Sequence, residues 1–331
     1  MTTIPIYSIN SDFKSKIYGS GKWVDGVMIN SLEERLKEYL GVKYVLLTNN
    51  GTSSLLAAYW VLKQKYSKLE VDPYTFPATY QPAHLLGYEV KYKKNILESD
   101  ISIDRSSIST LVHLYGQPNQ LVNKIDKNVL IEDACQAFGA EIQGTKVGTI
   151  GAIGCYSFYP TKSLHTCGHG GAVVTNNEEL YKKLKVFIQS GREGGKMTEH
   201  IALNLRMDEI KAEFLLNELS SYEEKIAIQR NISQNYLKVI PTIQPFLEEK
   251  KGDRHIYSVF NLLVENRDQF REFMSKKSVD TLVYYGDEVL PKKEKKHYVD
   301  WTSRIVCIPN RWNLTNKEID RIKFALEEWF S

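Results

Sequence analysis

Short apolar runs and longer amphipathic stretches alternate through the first half of the chain. Runs at 44–48, 109–114, 128–131, 152–158 and 172–175 have the length and composition of buried strands. Between them lie segments of helical period. Over 53–64, Leu55, Ala58, Tyr59 and Leu62 fall on one face, and over 178–189, Leu180, Leu184, Phe187 and Ile188 do the same. Strands separated by helices predict an α/β domain with a mainly parallel sheet, whose ligands gather at the carboxyl ends of the strands. After Met207 a long helical stretch carries Ile210, Phe214, Leu215 and Leu219 and continues past Tyr222 towards Tyr236, as a connector would. Beyond it come a strand-like run at 255–264, a helix over 267–277, a strand at 305–308 and a terminal helix with Ile319, Ile322, Leu326 and Trp329 on one face. The expected division is residues 1–235, an arm and large domain, and 236–331, a small α+β domain.

Composition narrows the class. With 331 residues, 42% apolar and 25% charged, the chain can fill two cores. No run approaches the roughly 20 apolar residues of a membrane span, and the start lacks the order of a secretory signal, so a cytoplasmic location is expected. A net charge of +3 does not suggest nucleic acid as a partner, and the stretch Lys292-Lys293-Glu294-Lys295-Lys296 reads as a solvated loop. Cys135, Cys155, Cys167 and Cys307 form no Cys-x-x-Cys pair, which argues against disulfides and a zinc site.

Three segments carry candidate chemistry. In Thr48-Asn49-Asn50-Gly51-Thr52-Ser53-Ser54, between a strand and a helix, helix-start amides beside the Thr52 and Ser53 hydroxyls suit a phosphate, and Gly51 allows close approach. An ordinary helix cap has the same appearance. No Walker lysine or Gly-x-Gly-x-x-Gly pattern follows, which counts against a nucleoside triphosphate or dinucleotide site. In Glu132-Asp133-Ala134-Cys135-Gln136, Asp133 ends an apolar strand, where a buried carboxylate needs a cationic partner such as a pyridinium nitrogen. Capping a turn is the alternative, and Gln136 follows three residues later. In Ser157-Phe158-Tyr159-Pro160-Thr161-Lys162, a lysine among aromatic residues is placed to stay partly dry, which favours the imine-forming amine. A surface lysine is the plainer reading of that residue alone. A lysine able to condense with an aldehyde and a carboxylate able to hold a ring nitrogen protonated are what pyridoxal phosphate chemistry most needs.

Six segments, in order, resemble the DegT/DnrJ/EryC1/StrS aminotransferases: Asn50-Gly51-Thr52-Ser53-Ser54-Leu55, Thr75-Phe76-Pro77-Ala78-Thr79, Val112-His113-Leu114-Tyr115-Gly116-Gln117-Pro118, Glu132-Asp133-Ala134-Cys135-Gln136-Ala137, Ser157-Phe158-Tyr159-Pro160-Thr161-Lys162 and Asn204-Leu205-Arg206-Met207. The resemblance implies the aspartate-aminotransferase fold, pyridoxal-phosphate fold type I, with a seven-stranded, mainly parallel sheet. It further implies pyridoxal 5′-phosphate as cofactor, with Lys162 as the lysine that binds it covalently and then moves a proton. Asp133 matches the partner of the ring nitrogen, Gln136 a neighbouring contact, Phe76 the stacking aromatic, and Gly51, Thr52 and Ser157 the phosphate contacts. Asn204 matches an asparagine that reaches the phosphate from a second subunit, so a homodimer with a shared site is expected. The implied reaction moves an amino group from an amino acid, glutamate in this family, to a nucleotide-linked 4-keto or 3-keto 6-deoxysugar. Sugar dehydratases of the family carry histidine at the lysine position; cyclitol and aminobenzoate-type branches share the motifs, and a binding or regulatory protein without turnover is the reading outside enzymes. The family pattern Gly-acid-Gly-Gly is here Gly168-His169-Gly170-Gly171. His165, His169, Tyr284 and Tyr285 are candidate substrate contacts.

Overall fold

The computed structural model describes residues 2–8, 12–94, 106–242 and 244–331. One sheet contains β1 (Tyr44–Thr48), β2 (Lys68–Val71), β3 (Glu89–Tyr92), β4 (Ile108–Val112), β5 (Leu130–Asp133), β6 (Ile153–Ser157) and β7 (Gly171–Thr175). Their order is β1-β7-β6-β5-β4-β2-β3. Five neighbours, β6 to β3, run parallel, while β7 is antiparallel to both β6 and β1. The mainly parallel sheet agrees with the pattern of the sequence, but β2 and β3 were not legible there. Polar residues interrupt both, and Glu70, buried within β2, is balanced by Lys93 at 2.7 Å.

Helices α1 (Val27–Leu40), α2 (Gly51–Lys63) and α3 (Glu178–Ile188) pack around the sheet. Small residues let α2 lie deep: Ala57, Ala58 and Tyr59 have no exposed surface. The start of α1 is held by the buried Glu209, whose carboxylate accepts hydrogen bonds from the amides of Gly26, Met28 and Ile29 at 2.8–3.1 Å. Those are amides that a helix cannot pair within itself.

The connector is two helices, α4 (Glu209–Ser220) and α5 (Tyr222–Leu237), interrupted at Ser221. Along α5 the buried face passes from one core to another. Ile226 belongs to the core of the large sheet, whereas Ile232 and Tyr236 pack with β8 (Phe260–Leu263), β9 (Ile305–Ile308), α6 (Arg267–Lys276) and α7 (Asn316–Phe330). β8 and β9 pair antiparallel, and only four residues of the expected 255–264 strand are in it. A third cluster, including Tyr74, Tyr115, Phe246, Tyr285 and Tyr298, fills the seam between the two parts.

The N-terminal arm is strapped to the small part. Ile4 forms a parallel bridge with Val279, donating to the Ser278 carbonyl and accepting from the Asp280 amide, both at 2.9 Å. Arg321 Nη1 donates to the Thr2 carbonyl at 3.0 Å.

Candidate active site

Neighbouring carboxyl ends of the parallel strands converge on a cavity of about 770 Å³. β1 leads into α2 through a turn fixed by its own side chains. Thr48 Oγ1 hydrogen-bonds Ser54 Oγ at 2.7 Å, and Asn50 caps α2 by accepting from the Ser53 amide at 2.8 Å. The amides of Gly51 and Thr52 then lack an intrahelical partner and lie at the positive end of the helix, a suitable place for an anion. A β-carbon on Gly51 would lie 2.9 Å from both Cys135 Sγ and Ser157 Cβ. One on Gly171 would lie 2.5 Å from the Asn50 carbonyl carbon. Glycine at these two positions is therefore what brings β1, β6 and β7 together around the cradle.

Alternation along β5 sends Glu132 and Asp133 to opposite faces. Asp133 is 4% exposed and lines the cavity. Its Oδ2 accepts from Thr79 Oγ1 at 2.7 Å and its Oδ1 from the Cys135 amide at 3.1 Å. Among the described residues no lysine, arginine or histidine forms an ion pair with it. Burial pushes the Cys135 thiol well up, and Asp133 adds to that, which makes this cysteine a poor nucleophile.

Lys162 is half-buried, in a turn closed by its amide donating to the Tyr159 carbonyl at 2.8 Å, and it lines the same cavity as Asp133. Ser157, at the end of β6, and Phe76 line it too; Phe76 keeps 54% of its surface exposed. Gln136 also lines it, but its amide is largely engaged elsewhere. Oε1 accepts from the Tyr115 amide at 2.9 Å and Nε2 donates to the Tyr285 hydroxyl at 2.8 Å. Tyr285 comes from the small part and is clasped by the large one. Its amide donates to the Tyr115 hydroxyl and its carbonyl accepts from the Tyr74 hydroxyl, both at 3.0 Å. Burial pushes the Tyr285 phenol well up, with Tyr284 and Asp133 adding to the effect, so the hydroxyl stays protonated. Tyr7 of the arm and Tyr284 complete this wall.

Of the residues expected to hold the cofactor, Asn204 alone lies outside the cavity. It is exposed, accepts from Arg206 Nε at 3.0 Å, and lies near the exposed apolar side chains of Ile201 and Leu203. His169 lines the cavity beside Tyr159, with ring centroids 5.3 Å apart. His165 does not; it packs 6.0 Å from Phe214, and burial pushes its imidazole down. A groove of about 1140 Å³ at the amino ends of β5 and β6 is larger, but it holds none of these residues. Convergence of polar groups, not volume, marks the site.

Residues 12–327 match the DegT/DnrJ/EryC1/StrS aminotransferase family. The chain belongs to that family. It is 28% identical over 290 residues to the UDP-2-acetamido-2-deoxy-3-oxo-D-glucuronate aminotransferase of Pseudomonas aeruginosa, covering 82% of this chain and 80% of that protein. It is also 28% identical to the GDP-perosamine synthase of Escherichia coli O157:H7 over the full length of both. The crystal structure of the sugar aminotransferase CalS13 from Micromonospora echinospora superposes with a TM-score of 0.86 at 21% identity, covering 98% and 99% of the two chains. The fold is thus that of the pyridoxal-phosphate sugar aminotransferases, fold type I.

The DegT/DnrJ/EryC1/StrS enzymes use pyridoxal 5′-phosphate, and three features here fit it. A buried carboxylate has no cation paired with it among the described residues, an aromatic face is open to the cavity, and a glycine-lined helix start points at the same space. Thr79 and Tyr7 escaped the sequence reading. The hydroxyls of Thr75 and Thr79, four residues apart beside the expected stacking residue, were the available signal for Thr79. Nothing local marks Tyr7.

Proposed function

We propose that this enzyme moves an amino group from an amino acid, glutamate, to a keto group of a sugar linked to a nucleoside diphosphate. The observation that carries the transaminase reading is the convergence of Lys162 and Asp133 on one aromatic-walled cavity. The nucleotide-linked acceptor is supported by the relatives, one acting on a UDP-linked 3-oxo sugar acid and the other named for GDP-perosamine. A lysine at position 162, where the family's dehydratases have histidine, favours transfer of nitrogen over loss of water.

In this reading the amides of Gly51 and Thr52, with the hydroxyls of Thr52, Ser53 and Ser157, hold the cofactor phosphate. Phe76 would cover one face of the ring, and Asp133 would hold a proton on the ring nitrogen. Gln136 offers its remaining N–H on the same side. Bound there, pyridoxal phosphate supplies the electron sink for the charge left when a carbon–hydrogen bond breaks. Lys162 Nζ takes the proton from the α-carbon of the donor and later returns a proton at the sugar carbon. Tyr7, Tyr284 and Tyr285 exclude water from that transfer. Asn204 completes the phosphate contacts of a second copy in a homodimer.

Three measurements test this. Borohydride reduction of the purified holoenzyme, followed by peptide mass spectrometry, should place the cofactor on Lys162; a label elsewhere, or no cofactor uptake, refutes the assignment. Holoenzyme converted to its amine form by glutamate should regain its original absorption when a nucleotide-linked 3-keto or 4-keto sugar is added. No recovery with any such sugar refutes the acceptor class. Mixing Lys162→Ala with Asn204→Ala subunits should restore part of the activity that both variants lose, and no recovery argues against a shared site.

A further inference from the structure

We infer that Thr79 is a positioning residue for Asp133: its hydroxyl, driven by that of Thr75, fixes the carboxylate in the orientation that a ring nitrogen requires. The inference rests on the reading of Asp133 given above. Its basis is a one-way chain of hydroxyl groups. Thr79 Oγ1 donates its single proton to Asp133 Oδ2 at 2.7 Å. The contact of 3.0 Å between Thr75 Oγ1 and Thr79 Oγ1 must then run from Thr75 to Thr79. Thr75 and Thr79 are each 1% exposed, so water does not compete with this chain.

The rest of Thr79 is held as firmly as its hydroxyl. Its amide donates to the Phe76 carbonyl at 3.0 Å, and its carbonyl accepts from the Tyr59 hydroxyl at 2.5 Å. Tyr59 has spent its proton there, so at 3.1 Å it accepts from Thr110 Oγ1 on β4. Thr79 is thereby anchored to α2 and β4, while the turn that carries it also carries Phe76. One short segment thus sets both the aromatic face and the orientation of the carboxylate. Aligned donors polarise one another, so Thr75 strengthens the bond that Thr79 makes to the anion. A donor aimed at one carboxylate oxygen fixes the orientation of the group and leaves its other lone pairs directed at a ligand N–H.

A cofactor analogue isolates the contact from general packing. In 1-deaza-pyridoxal phosphate a C–H replaces the ring nitrogen, so preference for pyridoxal phosphate over this analogue measures what Asp133 contributes. Affinities of the apoprotein for both are measured in wild type, Asp133→Asn, Thr79→Val, Thr79→Ser and Thr75→Val. Wild type should prefer the natural cofactor, and Asp133→Asn should lose that preference. Thr79→Val, which keeps the shape, should reduce the preference by roughly tenfold, the scale of a hydrogen bond to a charged group. Thr79→Ser should restore it, and Thr75→Val should lower it by a smaller factor. A purely structural role would weaken both ligands equally and leave the ratio unchanged. If wild type shows no preference, the reading of Asp133 fails and this inference with it. If Asp133→Asn behaves as expected but Thr79→Val retains the wild-type ratio, the role of Thr79 alone is overturned. Should Thr79→Val not fold, an unchanged ratio in Thr75→Val overturns it.

Discussion

The two sides of β5 treat adjacent buried carboxylates in opposite ways. Glu132 is fully buried and saturated by the protein: the amides of Gly148, Ile150 and Gly151 donate to it at 2.6–2.7 Å, and His113 contacts it at 3.0 Å. Because His113 Nδ1 accepts from the Asn119 amide, its Nε2 carries a proton and donates to Glu132. Asp133 accepts from Thr79 Oγ1 and the Cys135 amide and faces a cavity. One carboxylate organises the loop that leads into β6; the other retains bonding capacity for a ligand. A buried anion satisfied by its own chain contributes to folding, whereas one left incomplete is available for chemistry.

Exchanging the charge on each side separates the two roles. Asp133→Asn should slow the half-reaction with glutamate by about a thousandfold, the scale of a lost charge-stabilising group in an active site. Its thermal unfolding should stay close to wild type, and a large loss of stability would place Asp133 with Glu132. Glu132→Gln should instead cost about 3 kcal/mol in denaturant unfolding, because an amide cannot accept from every donor around it. A variant as stable as wild type would break the comparison.

His255 extends the contrast to a second group saturated by the chain. Its Nδ1 accepts from the Tyr257 amide at 2.9 Å and its Nε2 donates to the Phe246 carbonyl at 3.1 Å. Burial pushes its imidazole down to about 4. A depressed histidine adds stability that is present above the unfolded value of about 6.5 and disappears as pH falls towards 4. The loss should reach about 3 kcal/mol, and His255→Gln should flatten that acid slope in urea unfolding. Glu33 acts in the reverse sense, with a displacement of similar size. Its Oε1 accepts from the Leu47 amide at 3.1 Å, and burial raises its carboxyl to about 7. Such a group favours the fold below its unfolded value and loses that contribution as pH rises through about 7. Glu33→Gln should remove a decline in stability that runs from about pH 4.5 up to about 7, and an unchanged slope would show that Glu33 ionises freely.

Five of the seven sheet strands were legible because burial on both faces leaves continuous apolar runs. β3 was not, since an edge strand reading Glu89-Val90-Lys91-Tyr92 need bury little. The break between α4 and α5 was also invisible, because both helices continue an apolar period across Ser221. In the site, Gly51, Thr52, Ser53, Phe76, Asp133, Gln136, Ser157 and Lys162 could be read from motifs at strand ends, and all line one cavity. What the motifs do not carry is reach across the chain. Tyr7 and Tyr285 lie 278 positions apart and meet only through the seam, and the engagement of Gln136 with Tyr115 and Tyr285 depends on that meeting.

The strapped arm has a practical consequence for anyone handling the protein. Residues 2–8 are held through backbone pairing with the segment after α6 and hydrogen bonds from α7 and its preceding loop, and Tyr7 on that segment lines the candidate reaction chamber. Trimming the first eight residues to tidy an expression clone would remove one wall of the chamber.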